Sequence, residues 1–425
     1  MKNFIRNTLF YKYYKKLKAS YSSAINGNPS KDMFVIGITG TDGKTTTSNL
    51  IHHIINNSLG KCALVTTLNI KYGDEDIFNK SKMTSLDPSS LQKVLSQAKA
   101  KECKYVVLEV SSHGLDQFRF HGIDFDLGIL TNISSEHLDY HKTIENYAET
   151  KKKLFLNILK NPKSTKYAVL PKDSEYGRKW SEDLVFDKMM DFGLVLNAGL
   201  KAESIVERVD GTSFKVKYLG KDYPFNIRLL GKFNVYNSLA AIATGILLGI
   251  KIDKLIPLLD GFSSLSGRME RVEHNGVHYF IDFAHTPNAL DSVLKYLNQV
   301  KGSGKIITLF GAPGLRDKFK RPMMGKIVDK LSDYIIVTDD DPDKEDRYEI
   351  INQILSGVTR KEGNGLYILP EREFALKMAV SIAKPGDIVL LAGKGHEKIQ
   401  ITNFGKRDWN DKDQLLKILN EGNNE

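Results

Sequence analysis

From residue 33 onwards, short apolar runs alternate with segments of helical period. Residues 33–38 are apolar and β-branched and lead straight into a glycine-rich turn. Beyond it, Leu50, Ile51, Ile54, Ile55 and Leu59 fall on one face of a helix, which Gly60 closes. Further buried strands are expected at 63–67, 105–110 and 127–131. This order predicts a mostly parallel sheet covered on both faces. A second series begins near Ser266, with strands expected at 279–283, 306–310, 334–338 and 387–392, and 197–227 reads as a small β excursion between the two. The pattern predicts an α/β chain in three parts. These are an amphipathic segment at 1–32, a central P-loop parallel-sheet ATPase domain at 33–262, and a C-terminal Rossmann-like doubly wound domain at 263–425.

Composition narrows the class. At 425 residues and 41% hydrophobic content the chain can build two or three cores. Cys62 and Cys103 are too few for a disulfide framework and lie in apolar-rich stretches, so both are expected reduced and buried. With no signal peptide and no apolar run long enough for a bilayer, a cytoplasmic location and a monomer are expected. The net charge of +10 raises nucleic acid as a partner, but much of the excess sits at the start of the chain. Lys2, Arg6, Lys12, Lys15, Lys16 and Lys18 interleave there with Phe4, Ile5, Leu9, Phe10, Tyr13, Tyr14 and Leu17, with no acidic residue among them. That predicts a basic amphipathic helix and no nucleic-acid role. Docking on the body of the protein is the expected use, because such helices are common without a membrane role. Weak attachment to an anionic membrane surface is the alternative.

Candidate chemistry begins in the run Gly37-Ile38-Thr39-Gly40-Thr41-Asp42-Gly43-Lys44-Thr45-Thr46-Thr47, between an expected strand and an expected helix. Glycines let backbone N–H groups turn towards phosphate oxygens, and the helix N-terminus adds positive potential. Lys44 would reach the outer phosphates of ATP and the Thr45 hydroxyl would hold Mg²⁺. Ile38 stands where the standard pattern has its first glycine, so an ordinary glycine-rich turn is the competing reading; Gly43-Lys44-Thr45 in this context decides against it. The strand at 105–110 brings Glu109 to its C-terminal tip, a fitting place for a Mg²⁺ ligand. The strand at 127–131 runs on to His137, either a surface histidine or part of the same site.

Together, Gly40-Thr41-Asp42-Gly43-Lys44-Thr45-Thr46, Glu109-Val110-Ser111-Ser112-His113 and Glu136-His137-Leu138-Asp139-Tyr140-His141 resemble the Mur ligases of peptidoglycan synthesis, above all the MurE branch that adds the third stem-peptide residue. Tyr147-Ala148-Glu149-Thr150-Lys151-Lys152-Lys153 and Gly231-Lys232-Phe233-Asn234-Val235-Tyr236-Asn237 continue the likeness, as do Gly267-Arg268-Met269-Glu270, Asp282-Phe283-Ala284-His285 and Gly393-Lys394-Gly395-His396-Glu397. The resemblance implies that Lys151 carries a carbamate (N6-carboxylysine) and, with His137, holds a second Mg²⁺. On the residues alone, three adjacent lysines are a solvated helical face. It also implies that Asn237 lies near adenine, Arg268 on the ATP phosphates and Asp282 at the ribose. Thr84, Ser85, Ser111, Gln117 and Arg119 would contact the muramyl peptide, and Asp340, Asp341, Asp343, Gly393 and Glu397 the incoming amino acid.

The implied reaction is ATP-dependent: an acceptor carboxylate becomes an acyl phosphate that an amine then attacks, with His285 or His396 open as an aid to deprotonation. Two departures from the MurE pattern stand out. About thirty residues precede the phosphate-loop strand, too few for the family's uridine-binding domain, so the acceptor is expected either with its nucleotide gripped differently or without it. Members adding diaminopimelate carry Asp-Asn-Pro-Arg where this chain has Asp340-Asp341-Pro342-Asp343. A carboxylate at Asp343 repels a distal carboxylate and attracts an ammonium, which brings lysine and ornithine forward; a solvated acidic loop is the bland alternative. The alternatives to this activity are a ligase of the same fold for another carboxylate, of cyanophycin or polyglutamate type, and a non-catalytic nucleotide-binding regulator.

Overall fold

A computed structural model describes residues 9–79, 81, 83–163 and 165–421, with side chains from Tyr14 onwards except that of Asp139. Lys2, Phe4, Ile5 and Arg6, and the side chains of Leu9, Phe10, Lys12 and Tyr13, lie outside that description. The chain forms two compact units. One comprises 1–206, 213–227 and 233–262; the other comprises 207–212, 228–232 and 263–425.

In the first unit the strand Phe34–Thr39 pairs in parallel with Tyr105–Glu109 on one side and Leu127–Leu130 on the other. The parallel series continues outwards through Cys62–Val65 at one end, and through Tyr167–Pro171 and Lys188–Gly193 at the other. Every residue of Leu127–Leu130 and Cys62–Val65 is buried, as expected of parallel strands covered on both faces. The excursion runs from Leu200 to Ile227 as three strands that extend this sheet to eleven. At the opposite edge, Asn69–Tyr72 and Glu75–Phe78 add an antiparallel ribbon that apolar patterning does not announce.

The helix after the glycine-rich turn spans Lys44–Asn56, shorter than its apolar pattern. It buries Leu50, Ile51, Ile54 and Ile55, but Leu59 lies in the following turn, and Gly60 sits there with φ of 143°. The three expected lysines also part company. On the helix Ile144–Leu159, Lys152 and Lys153 pair with Asp183 and Asp116, whereas Lys151 is fully buried. The solvated-face reading fails at Lys151 because that turn of the helix faces the phosphate loop.

The second unit holds a six-stranded sheet: Glu270–His274, Val277–Asp282, Ile388–Ala392, Ile306–Phe310, Tyr334–Val337 and Leu366–Ile368, in spatial order. Only the first pairing is antiparallel. Tyr279, Ile281, Ile307, Leu309, Val389 and Leu391 form a core with Ala375, Leu376, Leu415 and Leu419 of two helices. Their strand neighbours Phe280, Thr308, Phe310 and Leu390, on the other face, are equally buried.

Candidate active site

The glycine-rich loop of the first unit is stapled to the segment that leaves the strand Leu127–Leu130. Thr41 N–H donates to the Asn132 carbonyl and Asp42 N–H to Asn132 Oδ1, each at 3.0 Å. Thr131 Oγ1 donates to the Asp42 carbonyl at 2.7 Å, and Ser134 N–H to Thr41 Oγ1 at 2.9 Å. Two glycines are obligatory. A Cβ at Gly40, whose φ is 152°, would stand 1.8 Å from Thr131 Oγ1; one at Gly43, with φ of 80°, would stand 2.3 Å from Asn237 Oδ1. Asn237 therefore packs directly against the loop, accepting from Thr47 Oγ1 at 3.2 Å and donating to Asn234 Oδ1 at 2.9 Å. Lys44 folds back on the loop, its Nζ 2.6 Å from the Thr41 carbonyl, while Thr45 and Thr46 are buried in the first helical turn.

Thr45 Oγ1 lies 3.1 Å from both carboxylate oxygens of the buried Glu109. Glu109 is held from the far side by Thr67, through its N–H at 2.9 Å and its hydroxyl at 3.2 Å. A hydroxyl facing a carboxylate beside a helix N-terminus is a hard-oxygen donor set of the kind Mg²⁺ takes. Lys151 Nζ donates to the Gly40 carbonyl at 2.6 Å and stands 4.4 Å from the centre of the Tyr147 ring. Burial, and then the neighbouring Lys44 cation, hold this amine far below the usual lysine range, which favours its neutral form.

His137, half-buried, begins a short helical turn in left-handed conformation, φ 55°. Its Nε2 is 3.8 Å from Glu136 Oε1 and its ring centre 4.7 Å from that of His113. His141 beside them meets Ser112 Oγ at 3.0 Å, and burial pushes its pKa down to about 4.

The five residues expected to touch a peptide acceptor form a continuous patch. The Thr67 and Thr84 hydroxyls lie 3.0 Å apart, which links the patch to Glu109. The Ser85 and Ser111 hydroxyls are 2.8 Å apart, and Arg119 donates to the Ser85 carbonyl at 2.5 Å and to Gln117 Oε1 at 2.8 Å.

In the second unit, the turn 267–270 is tied to the end of the strand Val277–Asp282. Both Asp282 oxygens accept backbone N–H groups, from Met269 at 2.7 Å and Ala284 at 2.8 Å. Arg268 lies over the Phe283 ring, 4.8 Å from its centre, and Phe283 also meets the rings of His285 and His396. Asp340, Asp341 and Glu397 converge on Lys394, which is fully buried. Its Nζ is 2.7 Å from Asp341 and 2.5 Å from Glu397, and burial pushes the Asp340 carboxyl up to about 6. Gly393 adopts φ of 106° against Asp340, where a Cβ would stand 2.7 Å from Oδ2. Asp343, half-buried at φ 55°, shares the loop, and the strand Ile399–Thr402 braces it. Asp343 N–H donates to the Ile401 carbonyl at 3.1 Å, and Ile401 N–H to Asp341 Oδ1 at 2.9 Å.

Sequence reasoning missed Thr67, Asn132 and Lys394. Thr67 and Asn132 follow tips of parallel strands beside the phosphate loop, which is the signal that could have found them. Lys394 sits inside the Gly393–Glu397 run that carries the family likeness, the signal that could have found it; read alone, a lysine between two glycines looks like loop.

Comparison with known proteins agrees with this layout. Residues 38–245 match the Mur ligase middle domain, and 267–395 match the Mur ligase, glutamate ligase domain. The chain is 37% identical over 417 residues to the UDP-N-acetylmuramoyl-L-alanyl-D-glutamate–2,6-diaminopimelate ligase of Geobacter metallireducens, covering 94% of this chain and 81% of that protein. It is 38% identical over 410 residues to ligase 1 of the same name from Clostridium acetobutylicum, covering 96% and 82%. A solved ligase of that name superposes with a TM-score of 0.64 at 30% identity, over 92% of this chain and 79% of that one. Mycobacterium tuberculosis folylpolyglutamate synthase shares the fold, with a TM-score of 0.73 at 16% identity over 89% and 92%. The chain belongs to the Mur ligase family, and is thus an ATP-dependent ligase that joins a carboxylate to an amine.

Proposed function

We propose that this ligase works as MurE-type enzymes do, adding a diamino acid to a muramyl-L-alanyl-D-glutamate acceptor in the cytoplasm during peptidoglycan precursor synthesis. The observation that carries it is one corner of the first unit, where the phosphate loop, Glu109 and the buried Lys151 adjoin the Ser85–Ser111–Arg119 patch. The names of the relatives supply the substrate class.

In this reading the loop N–H groups and Lys44 bind the ATP phosphates, and Arg119 holds an acceptor carboxylate. An oxygen of the carboxylate to be activated attacks the γ-phosphorus, and ADP leaves with the bond to its β-phosphate oxygen. The amine then attacks the acyl carbon, loses a proton, and inorganic phosphate departs as the amide forms. Thr45 with Glu109, and His137 with a carbamate on Lys151, are the residues that would hold two Mg²⁺ ions. When bound, such ions neutralise charge on donor and acceptor oxygens. The lowered pKa of the buried Lys151 amine supports the carbamate, because only an unprotonated amine adds to carbon dioxide. Arg268, Asp282 and Asn237 are assigned to the nucleotide, and Asp340, Asp341, Gly393 and Glu397 to the amino acid.

Asp343 favours an incoming amino acid whose distal end is an ammonium alone, so lysine or ornithine is preferred to diaminopimelate. Mass spectrometry of products tests this, with muramyl dipeptide, free or uridine-linked, plus ATP, Mg²⁺ and the three amino acids in competition. Exclusive incorporation of diaminopimelate would remove the Asp343 argument, and phosphate release only with polyglutamate or cyanophycin-type acceptors would remove the substrate class. ATP turnover untouched by Glu109→Ala would remove the metal assignment.

A further inference from the structure

In the second unit the strand Tyr334–Val337 is held at each end by an arginine paired to an aspartate. Before it, Arg360 Nε donates to Asp329 Oδ1 at 2.7 Å, and its outer nitrogens donate to the Asp333 and Ser332 carbonyls at 2.9 and 3.1 Å. Beyond it stands Arg372, fully buried at the start of the helix Arg372–Ile382. Its Nε and Nη2 grip the two oxygens of the buried Asp411 at 2.8 and 2.7 Å, and the Trp409 ring N–H donates to the same aspartate at 2.7 Å. The guanidinium also donates from Nη1 to the Asp339 carbonyl and from Nη2 to the Ala392 carbonyl, each at 3.1 Å. These two carbonyls belong to strands that are not paired with each other, since Ile306–Phe310 lies between them. Past Asp339 come Asp340, Asp341 and Asp343; past Ala392 come Gly393, Lys394 and Glu397.

We propose that Arg372 is a positioning residue for the incoming amino acid, its fork fixing the separation of the loops 339–343 and 393–397; this rests on the assignment of those loops made above. Strand ladders stop short of both loops, so their spacing is set by side chains that bridge them. Lys394 bridges their carboxylates, and Arg372 bridges their backbones from beneath. A guanidinium carries five donors in fixed directions, whereas an ammonium on a flexible stem cannot hold an aspartate bidentately and two carbonyls together. Buried as it is, Arg372 acts only through the loops. If they shift, Asp340 and Asp341 no longer stand where Glu397 requires them, and amino-acid binding suffers first. Arg268 and Asp282 are tied to their own turn by the Met269 and Ala284 N–H groups, so nucleotide binding is spared.

The test is steady-state phosphate release by the whole chain, with KM measured separately for ATP, the acceptor and the amino acid that the wild type incorporates. Arg372→Lys keeps the charge and loses the fork; it is expected to raise the amino-acid KM roughly tenfold or more and to leave the other two within about twofold. Arg372→Ala should show a larger defect of the same kind, partly restored by millimolar methylguanidinium. Arg360→Lys loosens the matching clamp at the other end of the strand, and is expected to lower stability in urea while moving no KM. Should the Arg372 variants not fold, Asp411→Asn decides, with an expected rise of about threefold in the amino-acid KM alone. An unchanged amino-acid KM in a folded variant, a rise shared equally by ATP, or an equal rise in Arg360→Lys would overturn the proposal. Wild-type turnover with another amine and with none of the diamino acids would overturn the substrate reading instead, and the KM for that amine would still judge the clamp.

Discussion

Two lysines, one in each unit, are fully buried and meet opposite fates. Lys151 lies beside the phosphate loop with a backbone carbonyl for its hydrogen bond and the Lys44 cation nearby, and its amine is held far below the ordinary range. Lys394 is gripped by Asp341 and Glu397, with Asp340 close by; these carboxylates outweigh the desolvation and raise its pKa. Burial alone therefore does not decide the charge of a lysine; the partners do. The first environment favours the uncharged amine, and the second favours the cation that organises an acidic pocket.

Lys394→Met should break the contrast most severely. It leaves buried carboxylates without their cation, a loss of about 3–5 kcal/mol that urea denaturation would read in the second unit. Lys151→Ala should leave the fold intact and slow ATP-dependent phosphate release by roughly 10²–10³-fold, about 3–4 kcal/mol on the barrier. Acid should then distinguish the two environments. Burial keeps His52 and His141 of the first unit at a pKa of about 4, below the ordinary value of 6.5. Their unfolded forms take up protons first, so their contribution to stability is complete above 6.5 and is lost as pH falls through about 4. For His52 this amounts to at most about 3 kcal/mol, and His52→Gln should flatten that part of a stability–pH curve. Gly43→Ala combines a left-handed backbone with a clash against Asn237 and should cost about 2 kcal/mol, weakening ATP binding roughly thirty-fold in calorimetry. The smallest effect is expected at Asp343→Arg, which should shift the competition among amino acids roughly tenfold towards diaminopimelate.

The same contrast explains what sequence can convey. The strands at 105–110 and 127–131 and the loop at Gly40–Thr45 were legible because apolar runs and glycines act locally, through burial and backbone freedom. Lys151 was legible only through family resemblance, since nothing local separates it from Lys152 and Lys153; burial of one of the three is a tertiary event. Lys394 looks like any loop lysine until Asp340 and Asp341, more than fifty residues earlier, fold against it. The amphipathicity of the N-terminal helix was visible, but which face turns inwards depended on the small contact surface around Gly122 and Pro88–Ala100. The antiparallel ribbon Asn69–Phe78 went unread because its outer strand is largely exposed and carries no buried run.

The buried amine of Lys151 is where fold and chemistry meet, and carbon-13 magnetic resonance on enzyme equilibrated with carbon-13-enriched bicarbonate tests its carbamylation directly. A carbamate carbon resonance that strengthens with added Mg²⁺ and ATP and disappears in Lys151→Ala is expected. A spectrum without that resonance, or one that persists in the variant, would contradict it.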